Sequence, residues 1–162
     1  MRSPAARALR LGAGLAGIAL AAACSHGPTW DEFHRQVAGP RPGFARIFVY
    51  TPLRAEALNV HPQVTLDGEV IGTSSPGKFF FVDRQPGIYE ISIPPTRYLA
   101  SFGNRAAAEP ARVSLWLGQS AFVQIDVVEL GSILQARLQT REGSDGERFI
   151  RECRFAPGDA EH

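Results

Sequence analysis

The dipeptide Asp67-Gly68 limits the fold of this chain more than any other feature. It sits between Val64-Thr65-Leu66 and Glu69-Val70-Ile71. Asp-Gly is a favoured pair for a two-residue type I′ turn, because both central positions must take positive φ. Flanked by alternating apolar residues, it predicts a β-hairpin in which Val64 faces Ile71 and Leu66 faces Glu69. Val64, Leu66 and Ile71 then share the core side.

The same period of two recurs along the chain. Ala45-Arg46-Ile47-Phe48-Val49-Tyr50 reads as a strand closed by Thr51-Pro52. Phe79-Phe80-Phe81-Val82 is apolar on both faces, as in a central strand, and Gln85-Pro86-Gly87-Ile88 has the Pro-then-Gly order of a type II turn. Tyr89, Ile91 and Ile93 alternate with Glu90 and Ser92 until Pro94-Pro95. Val113, Leu115 and Leu117 share a face, and beyond Gly118 so do Ala121, Val123, Ile125 and Val127, with Gln124 and Asp126 opposite. Leu134, Ala136 and Leu138 alternate with Gln135, Arg137 and Gln139, and Gly143-Ser144-Asp145-Gly146 leads into a last segment, 149–155, that suits strand or helix. About seven to eight short strands joined by Gly and Pro turns predict an all-β fold, an immunoglobulin-like antiparallel β-sandwich.

A short helix precedes it. Thr29-Trp30-Asp31-Glu32 has the form of a capping box. Trp30, Phe33 and Val37 fall on one helical face, to lie either on the domain or on a bilayer interface. Gly39-Pro40-Arg41-Pro42-Gly43 ends the helix, since proline withholds the backbone donors it needs.

The chain opens with Arg2, Arg7 and Arg10 and no acid, then holds only Leu, Ile, Ala and Gly from 11 to 23. That run is too short for a membrane-spanning helix of about 20 residues and has the order of a secretory signal. Leu20-Ala21-Ala22-Ala23-Cys24 resembles the bacterial lipobox, although the large aliphatic residue stands one place early, at Leu20. The resemblance implies cleavage before Cys24, which would then carry S-diacylglyceryl and N-acyl groups. The other reading is an ordinary A-x-A site that releases a soluble protein beginning with Cys24. Ser25 stands where an Asp would favour inner-membrane retention, so the same resemblance implies the periplasmic face of the outer membrane. The organisation expected is a signal peptide over 1–23, a tether with the short helix over 24–43, the sandwich over 44–156 and a flexible tail over 157–162.

Composition narrows the function classes. Three of the 17 basic residues lie in the signal, which leaves 14 against 16 acids, with no basic stripe for nucleic acid. About 140 remaining residues suffice for one core. Cys153 is the second cysteine, so there is no disulfide framework to read if Cys24 carries lipid. His26, His34, His61 and Cys153 are too scattered for a zinc site. Asp67-Gly68 lacks the alternating oxygen ligands of a calcium loop. The stretch from Gly72 to Lys78 runs into strand aromatics and not a helix N-terminus, so it is no phosphate cradle. No cofactor or metal is expected, and no catalytic residue is assigned.

Taken together, Ala45 to Tyr50, Leu66-Asp67-Gly68 with Ile71-Gly72, Pro86-Gly87-Ile88-Tyr89 and Ser120-Ala121-Phe122-Val123 resemble bacterial lipoprotein domains classed as a domain of unknown function. The hairpin is similar to PEGA-type surface domains. The likeness runs from about residue 44 to 155, implies a β-sandwich on an envelope lipoprotein, and brings no catalytic residue with it. The function expected is a non-catalytic binding or scaffolding module held to the membrane by its lipid, with an envelope protein or a cell-wall glycan as partner. The alternative is an envelope hydrolase or accessory enzyme whose site gathers distant residues such as Asp83, Glu90 or Asp126. The long connection from 94 to 110 is the candidate partner-binding loop, through Arg97, Tyr98, Phe102 and Arg105. The competing reading has Tyr98 and Phe102 capping the end of the sandwich.

Overall fold

The computed structural model describes residues 27–53, 61–95, 108–130 and 133–158. In chain order the elements are α1 (Trp30–Gln36), β1 (Ala45–Thr51), β2 (Gln63–Leu66), β3 (Glu69–Thr73), β4 (Lys78–Arg84), β5 (Gly87–Ser92), β6 (Ala111–Leu115), β7 (Ser120–Leu130), β8 (Ile133–Arg141), α2 (Gly143–Ile150) and β9 (Arg154–Phe155). The strands form a five-stranded sheet, β8-β7-β1-β4-β9, and a four-stranded sheet, β3-β2-β5-β6. The protein is mostly β, as its alternation predicts.

Alternation assigns side chains to two different cores. Ile47 and Val49 of β1, Phe80 and Val82 of β4, and Val123 and Ile125 of β7 face the four-stranded sheet, where they meet Val64, Leu66, Ile71, Ile91 and Val113. On the other face of the five-stranded sheet, Phe48, Tyr50, Phe79 and Phe122 pack with Trp30, Phe33, Ile150 and Cys153. Every residue of β1 is therefore buried. The result is three layers, with the helices on one sheet and the second sheet beneath it.

Of the two surfaces open to α1, the domain takes it. Glu32 N donates to Thr29 Oγ1 at 3.3 Å and Thr29 N donates to Glu32 Oε2 at 2.7 Å, completing the capping box. Trp30 meets Phe48 and Phe79 edge-on at 4.9 and 5.5 Å between ring centres. Such pairs add about 0.5–1.5 kcal/mol each beyond the area they bury.

The hairpin forms at Asp67-Gly68 with φ of 49° and 87°, as a type I′ turn requires. Leu66 faces Glu69, but a bulge between Val64 and Thr65 sets Val64 opposite Gly72 and not Ile71. Ile71 and Gly72 are both buried as a result. A Cβ on Gly72 would lie 3.0 Å from the Phe80 ring, so the glycine is what lets β3 approach there.

Four other expectations are corrected. The sandwich is not wholly antiparallel, because β1 pairs parallel with β7 and β4 with β9. The chain leaves the four-stranded sheet at the end of β6 and returns beside β1 in the direction of β1. Positive φ among the described glycines is confined to Gly43, Gly68, Gly77 and Gly118, so Pro86-Gly87 is not a type II turn. There β4 and β5 belong to different sheets, and the chain crosses from one to the other. The type II geometry appears instead at 116–119, where Gln119 N donates to Trp116 O at 3.0 Å and Gly118 has φ 72°. This turn removes Leu117 from the buried face of β6 and exposes it. Finally, Gly143-Ser144-Asp145-Gly146 is the first turn of α2 and not a lead-in, and β9 takes only two residues.

Candidate interaction surface

Three polar clusters and one apolar tip stand out among the described residues. The first cluster clasps the segment after α1. Arg46 Nε and Nη2 donate to the two carboxylate oxygens of Asp83 at 2.7 and 3.0 Å, and its other donors reach Ala38 O at 2.9 Å and Gly39 O at 3.2 Å. The guanidinium lies 4.0 Å above the Phe81 ring centre. Burial works to raise the Asp83 pKa, but the hydrogen bonds and charge of Arg46, helped by Arg41, outweigh it and hold it below the ordinary carboxylate range. An arginine at an inward-reading position of β1 is explained by this pair, which holds residues 38–41 to the sheet.

A second cluster lies near α2. The Tyr50 hydroxyl and Arg141 Nε each donate to Gln124 Oε1 at 3.0 Å, and Gln124 Nε2 donates to both Asp126 oxygens at 2.9 Å. Burial pushes the Tyr50 hydroxyl up to about 12, and does the same to the Cys153 thiol, whose Sγ donates to Thr51 O at 3.5 Å. A thiol so protonated and enclosed is a poor nucleophile. Gln124 does oppose the inner-core residues of β7, as its alternation predicts, but it lies under the helical layer and not in water.

The third is an exposed pair, His61 Nδ1 and Ser75 Oγ at 3.0 Å. Nucleophilic catalysis also needs a group to orient the imidazole, and among the described residues no carboxylate hydrogen-bonds to His61. No group of three or more His, Cys, Asp or Glu side chains suited to a metal occurs among them either.

The carboxylates offered for a distributed site are not brought together. Asp83 pairs across from Arg46, whose other neighbour is Ser120. Asp126 is six residues further along β7, about 20 Å away at the rise of a strand. Glu90 is exposed on the other sheet. Hydrolytic carboxylate pairs stand about 5 to 10 Å apart. Cys24 and the loop residues Arg97, Tyr98, Phe102 and Arg105 lie outside the described residues.

Two surfaces remain. A polar groove of about 390 Å³ follows the edge of β8 that no described strand pairs, lined by Glu109 and residues 135–139. Arg137 in the middle of that edge is a charge of the kind that discourages strand addition. The other is the tip formed by Ile88, Trp116 and Leu117, which are 74%, 67% and 66% exposed. Ile88 pairs across from Ser114, so Trp116, two residues on, lies diagonally beside it. The exposed neighbours Gln85, Ser114, Gln119 and Ser120 are uncharged, while the paired residues Glu90 and Arg112 lie two positions along β5 and β6 on the same exposed face. Sequence alternation alone gave Leu117 to the core, and the cue that could have corrected it was Gly118, the residue a type II turn wants at its third position.

Among the described residues no helix is long and apolar enough to cross a membrane. No protein-family model matches the chain, and no curated protein matches it.

Proposed function

We propose that this chain is a lipid-anchored lipoprotein of the bacterial cell envelope whose β-sandwich is a non-catalytic binding module, akin to the lipoprotein domains of unknown function that it resembles. The observation that carries the binding role is the exposed apolar tip at Ile88, Trp116 and Leu117. Elsewhere the described buried side-chain polar atoms all have partners. Well-paired interiors hold a scaffold rigid, while an exposed Trp is a residue that contact centres enrich. The anchor rests on the basic start, the apolar run and Cys24 at its end. Two facing sheets around an aliphatic core support reading the sandwich as immunoglobulin-like in outline, and the periplasmic face of the outer membrane follows from Ser25.

The test is metabolic labelling with a fatty acid in the native host. The wild-type chain should incorporate label and partition with membranes, and Cys24→Ala should lose label and stay unprocessed. Recovering wild-type protein from the soluble periplasm with a free N-terminal thiol would overturn the anchor.

A further inference from the structure

We infer that the edge of β8 takes up an extended peptide that carries a carboxylate and, at the next position, an ammonium or guanidinium group. This surface is distinct from the Ile88–Trp116–Leu117 tip and owes nothing to a lipid anchor. Among the described strands β8 ends the five-stranded sheet, and it pairs antiparallel with β7. In such a pair, alternate residues turn their N–H and C=O groups to the neighbour and the residues between turn theirs outward. The groove of about 390 Å³ runs beside those outward groups from Gln135 to Gln139, about 13 Å at the rise of a strand, which is the length of a short extended segment. Main-chain hydrogen bonds at a sheet edge supply affinity whatever the sequence, and the side chains beside it supply specificity.

Charge decides which peptide. Ala136 and Leu138 face the core between the sheets, so Gln135, Arg137 and Gln139 stand on the other face of β8. The opposite wall of the groove is Glu109, next to Ala108, whose side chain lies in that same core. Neither the Arg137 nor the Glu109 side chain makes an ion pair or a hydrogen bond with another described residue. Asp126, opposite Arg137 on β7, receives Gln124 Nε2 on both its oxygens at 2.9 Å. The groove therefore offers a cation on one face of the edge and an anion towards the other.

Successive residues of an added strand point to opposite faces, so adjacent positions of the ligand meet Arg137 and Glu109, and an acid beside a base answers both. A charge in the middle of an edge discourages strands in general. The same charge admits a strand that brings it a carboxylate, which is selection by repulsion as well as by attraction. A second copy of β8 does not meet the need, because Ile133–Arg141 carries two arginines and no acid.

The test uses the full chain purified in detergent micelles and capped peptides of threonine and valine with two adjacent central residues. In the four probes these are glutamate–lysine, glutamine–lysine, glutamate–glutamine and glutamine–glutamine. Binding is followed by chemical-shift titration and amide hydrogen exchange. Expected are saturable shifts and slowed exchange at alternate amides of β8, with the glutamate–lysine peptide binding about fivefold more tightly than either singly charged one. Arg137→Gln should erase the advantage of glutamate and keep that of lysine, and Glu109→Gln should do the reverse. Both variants should melt within about 2 °C of the parent. No binding by any of the four, equal binding of the glutamine–glutamine peptide, shifts away from β8 and its groove, or charge preferences that survive both substitutions would each overturn the site. So would pairing of two copies through β8, or a tetramer of N-acetylglucosamine that binds the groove more tightly than every peptide.

Discussion

Gly68 and Gly146 are both required, for opposite reasons. At Gly68 a side chain would meet nothing within 4 Å, but φ is 87°, so the barrier is conformational. Gly68→Val should cost about 2 kcal/mol or more, while Gly68→Asn, which tolerates the left-handed region, should cost much less. At Gly146 the backbone is helical, yet a Cβ would sit 2.3 Å from Cγ of Phe122. Gly146→Ala should therefore lose about 2 kcal/mol by overpacking where helix propensity alone predicts a gain of about 1 kcal/mol. Urea denaturation of the three variants separates the two mechanisms. Arg46 offers another residue-scale test. Arg46→Met strands the buried Asp83 carboxylate and should cost about 3–5 kcal/mol at pH 7, whereas Arg46→Met with Asp83→Leu should recover most of that loss. The single variant should also gain stability on acidification, as Asp83 becomes neutral, and an unchanged pH response would refute the clasp.

At the scale of elements, α1 and α2 differ in how they come to be helical. The capping box and the spacing of Trp30, Phe33 and Val37 announce α1, which is only seven residues long and gains its stability from the aromatic cluster. Trp30→Ala or Phe33→Ala should each cost about 3–5 kcal/mol in thermal or chemical melts. A tether lying outside the fold would show no loss. The helix α2 has glycines at its first and fourth positions and no side-chain N-cap bond. It forms because Gly146 and Ile150 fit the face of β7 and the second core, which outweighs weak local propensity.

The whole molecule should lose stability at both ends of the pH scale. Asp83 and Glu32 have lowered pKa values, Asp83 by its arginines against the effect of burial and Glu32 by the Thr29 backbone hydrogen bond. Their contribution is full above the unfolded carboxylate values, near 4, and is lost as pH falls through the lower folded values. Tyr50 and Cys153 are raised to about 12 by burial from ordinary values of 10.0 and 9.0. Their contribution is full below those ordinary values and disappears as pH rises through 12. Melting temperature followed from pH 2 to 11 should show a plateau between about 5 and 8 with a fall on each side. An alkaline limb that persists in Tyr50→Phe with Cys153→Ala would refute the assignment.

Alternation, turn chemistry and capping residues determined β1, the β2–β3 hairpin, the two-faced burial of β4 and the start of α1, because each depends on residues a few positions apart. Tertiary structure alone decided which strands share a sheet. The Pro86-Gly87 step is a crossing and the β1–β7 pair is parallel because of partners far away in sequence, and local period cannot name a partner. The same holds for the second core. Phe48, Phe79 and Phe122 read only as apolar strand positions until α1 and α2 cover them. The tip has two origins: Ile88 and Trp116 are out of phase with Tyr89 and Ile91 and with Val113 and Leu115, which puts them on the open face of the four-stranded sheet, whereas Leu117 reads as a core residue in the sequence and is exposed only because the turn at 116–119 carries it off the buried face.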